Sequence, residues 1–166
     1  SKAGRYSKYR NLLKSSGPTP FVFINDASRG GDCPARVEPL GGGRSKMTLY
    51  NYSLSACSQS TRTSRVVHET GHVLRNGHMR LFQLFVSQGY NKDQGCYYYD
   101  AGDSDAHFSP PYFIKTYNTN FAKQEGIDAQ GDNETMAEFL ALTIVPEDQY
   151  PEKCPIGNRW VRGNIF

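Results

Sequence analysis

His68 and His72 stand four residues apart in the run His68-Glu69-Thr70-Gly71-His72, and this spacing constrains the chain more than any other feature. In an α-helix, residues i and i+4 project from one face, so a helix here sets both imidazoles side by side. The flanking residues suit one. Thr61 or Thr63 can cap its start, Val66, Val67, Val73 and Leu74 supply apolar packing, and Asn76-Gly77 offers a left-handed stop. A helix over 58–75 is therefore expected, with Gly71 allowing close packing beside the paired rings. The chain holds only 4 His, so two of them in this register carry weight.

Two imidazoles on one face can share a single zinc ion, which takes His nitrogens at about 2.0–2.1 Å and keeps an open position when catalytic. Glu69 follows the first His, at the edge of the same face. From there it can act as general base toward water acidified by the metal and pass the proton on to a leaving amine. One Zn2+ per chain is expected, with His68 and His72 as ligands and Glu69 as the catalytic residue.

Three sources compete for the third ligand. His78 lies ten residues after His68, the spacing used by metzincins, but that pattern ends its helix with Gly three residues before the third His. Arg75 holds that position here, and a side chain disfavours the left-handed turn. Glu134 begins a second i, i+4 pair with Glu138, in which one carboxylate can bind the ion while the other holds a ligand His by its ring N–H. Both acids also suit the start of a helix on dipole grounds alone. The third source is the acidic loop Asp100, Asp103, Asp105 with His107, which could instead form a calcium site.

The rest of the chain places these residues in one domain. Its 166 residues suffice for a single core, and 37% apolar and 13% aromatic residues mark a globular composition. With 16 Gly and 9 Pro the fold should be rich in loops. Ser7 to Ser15 reads as a short helix ended by Ser16-Gly17-Pro18. Phe21-Val22-Phe23-Ile24 reads as a buried strand, Arg36 to Leu40 as a second, and Lys46 to Ser53, by its alternation, as an edge strand. Gly41-Gly42-Gly43 is a turn. It is no phosphate loop, because no Lys-Ser/Thr follows at the needed spacing. A largely buried helix over 78–88, an irregular stretch over 91–120, and a helix from Asp132 or Asn133 to about Val145 follow. The tail, with Cys154 and Trp160, is expected to wrap around the body under a disulfide.

Cys33, Cys57, Cys96 and Cys154 form no CxxC pair, which argues against a thiolate zinc site. Their even count and wide spacing suit two disulfides in an oxidising compartment, with Cys33–Cys57 and Cys96–Cys154 favoured among three pairings. Asn51 and Asn133 open glycosylation sequons. The chain starts at Ser1, as a secreted form processed from a precursor would. No run of eighteen apolar residues spans a membrane. Lys2, Arg5, Lys8, Arg10 and Lys14 crowd the start, but a net charge of +3 makes nucleic acid a weak candidate partner.

His-Glu-x-x-His on one helix, with Glu134-Thr135-Met136-Ala137-Glu138-Phe139 later, resembles the gluzincin zinc peptidases. It is most similar to the group containing anthrax lethal factor, the Pro-Pro endopeptidases and the Mlc titration factor. The likeness covers about a sixth of the chain. It implies that Glu134 is the third ligand and Glu138 its support. It also implies a Tyr or His that stabilises the oxyanion. Ile127 stands at the family's spacing for that group, so Tyr112, Tyr117 and His107 are the remaining candidates, and the metal itself can carry much of this role. The stretch His68 to Leu74 also resembles snapalysin-type metzincins, from whose downstream pattern Arg75 and His78 depart. The resemblance implies an α+β, zincin-like single domain over 1–166, with halves 1–78 and 79–166 flanking a cleft. A twisted sheet and backing helix precede the active-site helix, and Lys46 to Ser53 lines the cleft. The expected activity is that of a monomeric, secreted zinc endopeptidase acting on protein or peptide substrates. The alternatives are a zinc-binding effector or module of the same fold without proteolysis, and a basic nucleic-acid-binding toxin.

Overall fold

A computed structural model describes residues 6–24, 35–50, 58–90, 136–137, 139–144 and 155–166. They form a mixed α/β assembly. In chain order the elements are α1 (Ser7–Ser15), β1 (Phe21–Ile24), β2 (Ala35–Gly41), β3 (Arg44–Tyr50), α2 (Gln59–Gly77) and α3 (Met79–Leu84). A π-helical turn (Phe85–Tyr90) continues α3. Helix α4 is described at 136–137 and 139–144, and α5 spans Pro155–Asn164.

The sheet has the order β1-β3-β2, with β1 parallel and β2 antiparallel to β3. β2 and β3 form a hairpin around Gly41, Gly42 and Gly43, at φ of 81°, 58° and 78°. Three consecutive left-handed residues would strain any side chain, so this turn requires glycine. Lys46, across the hairpin, and Arg36, on the same strand, both contact the Glu38 carboxylate. The hydrogen bond and charge of Lys46 hold the Glu38 pKa below its usual range.

Two strands correct the sequence expectations. Lys46 to Ser53 was expected at an edge, yet β3 is the central strand and is buried over most of its length. Both of its ladders are occupied, so β3 cannot take an extended substrate as a new neighbour. β1 was expected to be buried, yet all four of its residues are exposed, Phe21 at 53% and Phe23 at 70%. An apolar run marks a segment that pairs well, but whether anything covers it depends on distant parts of the chain.

Among the described residues the apolar interior falls into two clusters. The larger joins Tyr9, Val67, Leu74, Phe82 and Phe85 to Met136, Phe139 and Leu140 of α4 and Trp160, Val161 and Ile165 at the C-terminal end. The smaller joins Met47 and Leu49 of β3 to Val73 of α2. Leu13 of α1 packs against both. From Pro155 onward the tail is therefore a helix seated in the main core rather than a wrapped strap. Pro155 suits its first turn, and burial of Trp160 and Val161 offsets the weak helix propensity of Gly157 and Gly163. The segment expected as one largely buried helix over 78–88 divides into α3 and the π-turn. It buries Phe82 and Phe85 but exposes Met79 and Leu84.

Helix α2 runs two residues past the expected end at Arg75, with Asn76 and Gly77 inside it rather than forming a left-handed stop. Gly77 is not left-handed; a Cβ there would lie 2.5 Å from the Ser16 side chain, so close approach to α1 demands the glycine. Thr63 is no cap, because its hydroxyl donates to the Gln59 carbonyl inside the helix at 2.8 Å. Instead the Ser58 carbonyl accepts the first turn's bond from the Arg62 N–H. The four cysteines, both sequons, the 91–120 stretch and the start of α4 lie outside the described residues. No described helix is long and apolar enough to cross a membrane.

Candidate metal centre

Helix α2 is held on three sides. Thr70 meets α1: its hydroxyl donates to the Val67 carbonyl at 2.6 Å and also hydrogen-bonds the buried Tyr9 hydroxyl. Burial pushes the Tyr9 pKa up to about 12, with the Thr70 bond opposing that rise. Val73 and, less deeply, Val66 meet β3. Val67 and Leu74 enter the main core, and Gly71 meets α4. A Cβ on Gly71 would lie 2.6 Å from Ala137 Cα and 2.9 Å from its Cβ, so only glycine permits this crossing. The side of the helix left over carries His68 and His72, on the i, i+4 geometry that their spacing requires.

The three motif residues come together there. One ligand atom from each of His68, Glu69 and His72 lies within 4.8 Å of the others. The two rings stand edge to face with centroids 5.0 Å apart. Glu69 is buried, at 7% exposure. A buried carboxylate beside two imidazoles is costly unless a cation or hydrogen-bond donors compensate it. Two nitrogens and an oxygen at this separation fit one divalent ion of the kind that prefers mixed nitrogen and oxygen donors, zinc among them.

His78 is not part of this cluster. It stands at the start of α3, and its Nε2 lies 2.8 Å from the Leu12 carbonyl and 3.2 Å from Ser15 Oγ. Those contacts tie the end of α1 to the α2–α3 junction. Helix α2 runs through Arg75 without turning. Arg75 lies over the Phe82 ring at 5.6 Å and donates to Asn76 Oδ1 at 3.0 Å, while Asn76 donates to Ser45 Oγ at 2.9 Å. The early helix end of the metzincin pattern is thus absent.

Glu134 and the side chain of Glu138 lie outside the described residues, as do Tyr112, Tyr117, His107 and the acidic loop of Asp100, Asp103 and Asp105. Their described neighbours Met136, Ala137 and Phe139 are fully buried, and Ala137 touches the motif helix. Sequence reasoning missed the bond between Tyr9 and Thr70. Its one trace was Tyr9 on the apolar side of α1 with Leu12 and Leu13, which reads as ordinary packing. No protein-family model, curated protein or solved structure matches this chain.

Proposed function

We propose that this chain is a secreted, zinc-dependent endopeptidase of the zincin type, gluzincin-like in its ligand set, acting on protein or peptide substrates. The observation that carries the reading is the convergence of His68, Glu69 and His72 on one side of a helix whose other sides are packed. His68 and His72 hold the ion through neutral ring nitrogens. Glu134 completes the set and Glu138 supports a ligand imidazole. The packing of Ala137 on Gly71 favours this, since it brings the chain three residues after Glu134 against the turn that carries His72. Bound zinc makes water acidic enough to ionise near neutral pH and polarises the scissile carbonyl. Glu69, adjacent to the ligands and shielded from bulk water, accepts the proton of the attacking water and delivers it to the departing amine.

A base is unnecessary for holding zinc, so Glu69 separates peptidase from binding module. Purified protein should carry one zinc per chain and cleave an unfolded protein substrate. Glu69→Gln should keep the zinc, measured by elemental analysis, and lose activity by about 10²- to 10⁴-fold. Glu134→Gln should lose zinc, whereas His78→Ala should retain it. A zinc-loaded wild type inert toward a broad substrate panel would replace the peptidase reading with the non-proteolytic module.

A further inference from the structure

Beside the motif helix, between α1 and the sheet, lies an open pocket of about 400 Å3. Its walls are Leu13, Pro18, Phe21, Met47 and Val73, with Lys14 among the lining residues. It borders the smaller apolar cluster through Met47 and Val73, and Leu13 on its wall also packs against the larger one. The pocket opens to solvent past Phe21, which is 53% exposed, while Met47 and Val73 close its inner end. This volume falls within the range of small-molecule sites, which are mostly apolar with one or two polar groups that fix orientation. Among the described lining residues Lys14 is the one charged side chain, and none is a carboxylate. Among the described residues no carboxylate pairs with the exposed Lys14 ammonium.

We propose that this pocket binds a small amphipathic carboxylate, a medium-chain fatty acid in chemical class, with its tail among Leu13, Phe21 and Met47 and its carboxylate toward Lys14. The site is lined by none of the three cluster residues: α2 lends it Thr70 and Val73, not His68, Glu69 or His72. It therefore stands whether or not the peptidase reading does.

The test is calorimetric titration of the full chain with octanoate, octanol and octylamine, each below its micellar concentration. Octanoate should bind at one site and more tightly than octanol, and octylamine should not bind. Lys14→Met keeps the apolar stem and removes the charge. It should weaken octanoate by about fivefold, the scale of an exposed ion pair, and leave octanol unchanged. Thr19→Trp, in the connection that lines the pocket, should block octanoate and octanol together. Equal binding of all three probes, or octanoate binding that survives Thr19→Trp, would assign the effect to the exposed apolar strand β1 and overturn the site. So would the absence of octanoate binding at millimolar concentration in protein shown by circular dichroism to be folded.

Discussion

Gly71 concentrates two opposing effects in one residue. In a helix interior, Gly→Ala ordinarily stabilises by about 1 kcal/mol. Here the added methyl would meet the Ala137 backbone at 2.6 Å, and a backbone atom cannot swing aside as a side-chain tip can. Overpacking of this kind costs about 1–3 kcal/mol, so the clash wins. Gly71→Ala should lower stability in urea denaturation despite its better helix propensity, and it should weaken zinc binding, because α4 must move off the turn that holds His72. A stabilised variant with unchanged zinc affinity would show that the crossing of α2 and α4 is looser than 2.6 Å implies. The motif residues themselves were legible from spacing alone, since i, i+4 imidazoles need nothing but a helix to meet. The role of Gly71 was legible only in outline. A small residue signals close approach, but Ala137 lies sixty-six positions away in sequence.

At the scale of elements, α1 and α2 are joined by the hydrogen bond between Tyr9 and Thr70 and by Gly77 against Ser16. The Tyr9 hydroxyl ionises near 10 when exposed and at about 12 in the fold, mainly because burial disfavours the phenolate. A pKa raised by folding adds stability that is complete below pH 10 and is lost as pH rises toward 12. A difference of this size corresponds to roughly 2–3 kcal/mol. Wild type should therefore lose stability between these limits in denaturation at stepped pH. Tyr9→Phe should start about 1 kcal/mol lower at neutral pH and decline less steeply above pH 10. Identical slopes would mean that other groups control alkaline unfolding. Glu38 acts in the opposite direction and weakly: its lowered pKa makes an exposed contribution that fades as pH falls. α1 was readable to the residue, because Tyr9, Leu12 and Leu13 mark one face and Gly17-Pro18 closes it. The position of β3 was not. Strand residues alternate the same way at an edge and at the centre of a partly covered sheet, and the parallel pairing of β1 with β3 is a long-range event. α5 was hidden because its stability comes from the core it fills rather than from its own residues.

For the whole molecule, the candidate metal centre lies on the helix that α1, the sheet and α4 hold on its other sides, so an ion bound there would be linked to folding. Zinc at a hundredfold its dissociation constant should raise unfolding free energy by about 2.7 kcal/mol, and a chelator should remove that increment, read as a shift in thermal midpoint. Magnesium at the same concentration should do little, because a pair of imidazoles suits a harder ion poorly. An unchanged midpoint on zinc addition would separate the cluster from metal binding altogether. The choice among third-ligand candidates stays open in the sequence, because no local pattern encodes which distant side chain reaches the imidazole pair.

Trp160 is the only tryptophan in the chain and is buried at 8% exposure, edge to face with Phe85 at a centroid distance of 5.2 Å. The molecule therefore carries its own optical reporter. Emission excited at the red edge of protein absorbance comes from one site, on α5. A red shift on heating dates the moment when α5 leaves the core. Zinc loading can be followed in the same cuvette by a separate metal indicator, so the order of the two events becomes directly observable.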